Sequence, residues 1–154
     1  MEQKTICIDF DGVIHDYSKV WQGEDVFGQI IPNADTGTAT LKKNGWTIII
    51  FTTRKKTEKL EKWLEENNIS YDHINENPNQ PEHASGKIIA DVYLDDRGIC
   101  FRGRWDSWLM RDIIEFEPWQ EQQKREIEQL ATYGQTEDDI WSRGNEKRIK
   151  QAHV

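Results

Sequence analysis

The chain has 154 residues, 36% apolar and 31% charged, with a mean hydropathy of -0.85 and a formal net charge of -8. That length suits one domain and leaves too little core for two, and no apolar run approaches the roughly 18 residues that a membrane span needs. The acidic balance disfavours nonspecific nucleic-acid coating, and an amino terminus whose apolar Ile6-Cys7-Ile8 meets Asp9 at once reads as cytoplasmic rather than secreted.

In chain order, residues 5–9 form the first predicted strand, a continuous apolar run of the kind buried on both faces of a parallel sheet. A helix is predicted over 32–44, opened by Pro32 and closed by Gly45, although Gly37 and three threonines weaken its propensity. The run of three isoleucines at 47–51 predicts the second strand. A stronger helix is predicted over 53–68, where Leu60, Trp63 and Leu64 make one apolar stripe. Residues 69–74 predict a third strand and Val92–Leu94 a fourth, which runs straight into Asp95 and Asp96. Helical spacing returns over 105–116 and again over 121–133. Strand–helix alternation of this kind predicts an open α/β fold. Cys7 and Cys100, too few for a disulfide framework, are expected to be reduced and buried. Residues 143–154, with four basic residues and one acidic, read as a solvated helix end. Trp105 and Trp108 are expected in the core, their alternative being a wall of the site.

Ligands of open parallel sheets bind at the carboxyl ends of the strands. The first strand delivers Asp9-Phe10-Asp11-Gly12, the second Thr52-Thr53-Arg54 and the last Asp95-Asp96-Arg97. Asp9 and Asp11 stand two apart, so their side chains leave the strand on one side. Close carboxylates repel unless a cation joins them, and an all-oxygen site suits Mg²⁺. Asp95 and Asp96 would complete that site from another strand. Gly86-Lys87 is no phosphate-binding P-loop, because Pro81 and Ile88 stand where Gly and Ser or Thr are required.

The run Asp9-Phe10-Asp11-Gly12-Val13-Ile14 resembles motif I of the haloacid dehalogenase superfamily of phosphohydrolases. Thr52 at a strand end is similar to motif II, Lys87 to motif III, and Val92-Tyr93-Leu94-Asp95-Asp96 to motif IV. Together they span 5–97, about three-fifths of the chain. The order differs from that of receiver domains, where the acid pair comes first. The resemblance implies a Rossmann-like three-layer α/β/α sandwich with a mostly parallel sheet and no separate cap domain. It also implies that Asp9 is the nucleophile, forming an aspartyl phosphate, and that Asp11 is general acid and then general base. Thr52 would bind a phosphoryl oxygen, and Lys87 would offset its charge. Mg²⁺ would lie among Asp9, Asp11, Asp95 and Asp96, with the direct ligand of the last pair left open. Gly12, His15, Thr53, Arg54 and Arg97 are candidate substrate contacts; the arginines have the alternative of pairing with the carboxylates, and Thr53 that of taking the place of Thr52. Asp91 reads equally as support for the site and as a residue at the start of a strand.

Residues 1–118 are expected to form the catalytic domain, with a short flap over 13–31 carrying His15, Asp16, Tyr17 and Trp21, and 119–154 a helical extension. Without a cap, the site is expected to be open, or closed by the carboxyl-terminal helices or a second subunit. The function expected is a Mg²⁺-dependent phosphohydrolase of phosphomonoesters, foremost a nucleotide, a polynucleotide end or another nucleic-acid terminal phosphate. The alternatives are a phosphotransferase using the same intermediate and a phosphate- or partner-binding module without turnover.

Overall fold

The structure, a computed structural model, describes residues 3–84 and 86–132. The stretch 143–154 lies outside them, as does Tyr133 of the last predicted helix. Two compact units divide between Arg104 and Trp105, earlier than the boundary at 118 expected from the sequence.

The first unit holds four strands and two helices: β1 (Thr5–Ile8), α1 (Ala34–Lys43), β2 (Thr47–Ile50), α2 (Glu58–Glu66), β3 (His73–Ile74) and β4 (Val92–Leu94). The sheet order is β3-β2-β1-β4, every pair parallel. Thr5 pairs with Thr47 and Ile8 with Ile50, while on the other side Ile6 pairs with Val92 and Ile8 with Leu94. This is the predicted α/β, Rossmann-like fold. The chain steps outward from β1 through β2 to β3, then returns to the far side of β1 for β4. The direction of winding therefore reverses between β1 and β4, the position at which open α/β sheets bind their ligands.

Alternation along the strands sorts the core onto two faces. Ile6, Ile8, Ile48 and Ile50 join Phe10, Ile14, Leu60, Leu64, Ile69 and Ile74 in the larger cluster, against which Ala34, Leu41 and Trp63 also lie. Both crossover helices cover that face, as two crossovers of one hand in one direction require. The opposite face carries a smaller cluster of Cys7, Ile49 and Ile88, flanked by Phe51 and Ala90. Tyr93 adds a hydroxyl bond to the Ile88 carbonyl there. Unlike β1 and β2, β4 is exposed along its length.

Helix boundaries depart from the sequence pattern for local reasons. In α1 the threonine hydroxyls are absorbed: Thr36 and Thr40 donate back to Asn33 and Thr36 carbonyls. Thr38, buried, donates to the Asp35 carbonyl and accepts from the Ser70 amide, tying α1 to the turn after α2. The amino end of α2 is at Glu58 and not Thr53, because Thr57 is its N-cap and accepts from the Leu60 amide at 3.2 Å. The third strand is only two residues long.

The second unit, from Trp105, contains α3 (Ser107–Ile114), capped by Asp106, and α4 (Trp119–Thr132). The expectation of a buried aromatic cluster here is corrected: Trp105 is 77% and Trp108 63% exposed. Cys100, expected to be buried, is also exposed, whereas Cys7 is buried. Among the described residues no helix is long and apolar enough to cross a membrane.

Candidate active site

Three carboxylates meet beyond the carboxyl ends of β1 and β4. Asp9 follows β1, its amide donating to the Leu94 carbonyl at 2.9 Å, so the ends of the two strands are laced together. Asp95 and Asp96 follow β4. Asp9, Asp95 and Asp96 each present an oxygen within 4.8 Å of the other two. Asp9 Oδ1 accepts from the Phe10 amide at 2.7 Å, and Asp95 Oδ1 from the Arg97 amide at 2.7 Å. Asp96 differs. Both its oxygens are buried and lack a hydrogen-bond donor, and the nearest cation, Arg97 Nε, stands 3.9 Å away.

Such an arrangement is costly without a positive charge inside it. Burial, reinforced by the charges of Asp95, Asp96 and Asp11, pushes the Asp9 carboxyl up to about 7. Burial and the Asp95 charge likewise raise Asp96 against the opposing pull of Arg97. Three clustered carboxylates, one of them orphaned, fit a hard divalent cation such as Mg²⁺.

Asp11 leaves the same loop but has a different neighbourhood. It accepts from Arg54 Nε at 2.8 Å on Oδ2, from Arg54 Nη2 at 2.9 Å on Oδ1, and from His15 Nδ1 at 3.0 Å. His15 Nε2 accepts from the Gly28 amide, which leaves the proton on Nδ1 and makes the ring the donor to Asp11. Burial alone would raise Asp11, but the His15 and Arg54 hydrogen bonds and the Arg54 charge prevail and hold it below the usual carboxylate range.

His15 and Arg54, candidates for substrate contact, thus serve Asp11. His15 is buried and stacks on Phe10, with ring centroids 5.1 Å apart and planes 2° from parallel. Phe27 and Trp63 meet it edge-on. The flap closes at its base through the Asp16 amide on the Gln29 carbonyl and the Ile31 amide on the Ile14 carbonyl. A Cβ at Gly28 would meet the Asp16 carbonyl oxygen at 3.2 Å and His15 Nε2 at 3.3 Å, so one of these neighbours would have to give by a few tenths of an ångström to admit a side chain.

Of the remaining candidates, Gly12 is buried in a left-handed conformation (φ 88°) beside Asp11. Thr52 Oγ1 accepts from the Arg54 amide at 3.2 Å, and Thr53 is exposed. Arg97 is exposed at the rim beside Asp96. Lys87 is exposed, its ammonium 4.3 Å from the Tyr93 ring centroid, and it joins no ion pair among the described residues. Asp91, whose carboxylate accepts from the Thr5 amide at 2.7 Å, belongs to the start of the strands, at the opposite end from the site.

Sequence reasoning passed over Asn75. It follows β3 in a left-handed conformation (φ 56°), accepts from the Thr52 amide at 2.8 Å and donates to the Arg54 carbonyl at 2.9 Å. Both bonds fold the Thr52–Arg54 turn toward Asp11. An asparagine at the carboxyl end of a strand, where αL geometry and side-chain bonding to backbone coincide, was the available signal.

No family model and no curated protein matches the chain. Among solved structures, a conserved protein from Bacteroides thetaiotaomicron is similar in fold, with a TM-score of 0.51 and 24% identity over 74% of this chain and 91% of that one.

Proposed function

We propose that this protein is a Mg²⁺-dependent phosphohydrolase of phosphomonoesters, working through Asp9. The observation that carries the reading is the convergence of Asp9, Asp95 and Asp96 from two strands flanking the switch in winding, with the Asp96 carboxylate buried and without a donor. The order of motifs similar to the haloacid dehalogenase superfamily supports it. Asp9, Asp95 and Asp96 would hold the cation, with Asp96 the best placed for direct ligation because neither of its oxygens is otherwise engaged. When bound, Mg²⁺ would offset the carboxylate charge and let an anionic nucleophile approach an anionic phosphate.

Asp9 Oδ1 is held by the Phe10 amide, which leaves Oδ2 to attack phosphorus. The new Oδ2–P bond forms as the ester P–O bond breaks, and the departing oxygen takes a proton from Asp11 to leave as the alcohol. Water then attacks phosphorus, gives its proton to Asp11, and frees inorganic phosphate and Asp9. The charged state that Arg54 and His15 impose on Asp11 suits this base role. To act first as the acid on the leaving oxygen, Asp11 would have to take up a proton against both partners. Thr52 and Gly12 would contact phosphoryl oxygens, and Lys87 would have to leave Tyr93 to join them.

A nucleotide or nucleic-acid terminal phosphate is the substrate class we favour. Trp21, half exposed on the flap, stands 4.5 Å from the Arg54 guanidinium and offers a flat face on which a base can stack. The test is hydrolysis of an aryl phosphate, then of a nucleotide panel, with Mg²⁺ or EDTA, for wild type beside Asp9→Asn. Metal-dependent release lost in the variant is expected. Release that survives EDTA would remove the cation from the mechanism, and release that survives the substitution would remove Asp9.

A further inference from the structure

Arg54 is more deeply enclosed than an ion-pair partner of Asp11 requires. Its side chain is 1% exposed, and each part of its fork is engaged. Nε and Nη2 point to Asp11, while Nη1 donates to two flap carbonyls, Gly23 at 3.1 Å and Glu24 at 2.8 Å. The flat faces of the guanidinium lie among aromatic rings, Trp21 at 4.5 Å, Phe27 at 5.3 Å and Phe10 at 5.7 Å. Two of these rings, Trp21 and Phe27, belong to the flap. One planar group therefore joins the flap to the carboxylate assigned as base.

We propose that Arg54 is a positioning residue that couples seating of the flap to the orientation of Asp11. A guanidinium holds its donors in one plane, so fixing Nη1 on the Gly23 and Glu24 carbonyls also fixes the direction in which Nε and Nη2 present themselves. Asp11 is then aligned only while the flap is down. His15 closes the loop from the other side, since its ring links the Gly28 amide to Asp11 Oδ1. Asn75 holds the Arg54 carbonyl and so anchors the backbone from which the fork extends. The catalytic part of this inference rests on the phosphohydrolase reading; the link between flap and Asp11 does not.

The decisive variant is Arg54→Lys, which keeps the charge and loses the fork. Amide hydrogen exchange at Asp16 and Gly28, followed in the protein without substrate, is expected to quicken at least about tenfold as the flap loosens. With an aryl phosphate and Mg²⁺, kcat is expected to fall at least about tenfold while KM stays within about threefold, because Arg54 aligns a reacting group and does not bind the phosphate. Wild-type exchange in the lysine variant would overturn the proposal, as would full retention of kcat, since either result would reduce Arg54 to a charge. Asp9→Asn should exchange like wild type. If the wild-type protein shows no Asp9-dependent hydrolysis, the phosphohydrolase reading falls and exchange alone decides the coupling. If Arg54→Lys does not fold, ¹⁵N spectra of the wild-type guanidinium decide it: separate, slowly exchanging Nη1 and Nη2 signals are expected, and a single averaged signal would overturn it.

Discussion

Asp96 and Asp11 show how two acids of one site are set apart by their surroundings. Asp96 is buried without a donor, while Asp11 is held by a guanidinium and an imidazole. Removing the Asp96 charge should therefore help the cation-free protein: in EDTA, Asp96→Asn is expected to raise the melting temperature, by an amount corresponding to about 1–3 kcal/mol for a relieved buried group. In Mg²⁺ the same variant should need more cation for activity. A lower melting temperature in EDTA would show that Asp96 is satisfied as it stands. Asp9 sets the pH dependence. Its native carboxyl is raised to about 7, so the folded state binds more protons than the unfolded one between about 4 and 7. Stability without cation is thus expected to fall as pH rises through that window, and urea titrations with and without Mg²⁺ should converge at the acid end. The acids themselves were legible as strand-end pairs. The surroundings that set them apart were not, because the partners of Asp11 come from residues four and 43 positions away.

At the scale of elements, the β2–α2 connection explains most of the departures from the sequence pattern. The apolar stripe of α2 correctly located Leu60 and Leu64 in the core. The helix starts five positions later than its apolar pattern suggests, because Thr57 caps it and Asn75 holds the Thr52 amide and the Arg54 carbonyl out of it through bonds that cross more than twenty residues of chain. Thr57 does two jobs at that start: it caps α2 and its hydroxyl donates to Asp25 of the flap at 3.0 Å. Thr57→Ala is expected to cost about 1 kcal/mol, read as a lower denaturation midpoint with an unchanged slope. No change would mean that the cap bond is replaced by water. β3 was predicted as six residues and forms two; its polar Ser70 and Asp72 are drawn off by Thr38 on α1, and by Lys42 on α1 and the Ile48 amide on β2.

In the molecule as a whole, strand order does what no single motif can. It carries β4 to the far side of β1 and so brings together acids that are 86 or 87 positions apart in the sequence. Alternating apolar strands and helices made the parallel sheet readable, since continuous apolar runs have few other uses in a chain this polar. Exposure was less readable. Cys100 and the tryptophans near it look like core by residue type, yet they are exposed. A thiol reagent should consequently modify Cys100 in the native protein and spare Cys7, whose thiol burial raises to about 11. Prompt reaction of both would contradict the buried β1. Attack of Asp9 on phosphorus would leave a covalent intermediate that can be trapped. Acid quenching of the protein during turnover of a phosphomonoester with Mg²⁺ should leave a hydroxylamine-labile phosphoryl group on Asp9, located by peptide mass spectrometry and absent from Asp9→Asn. Turnover with no such adduct, or an adduct on another residue, would show that Asp9 is not the nucleophile.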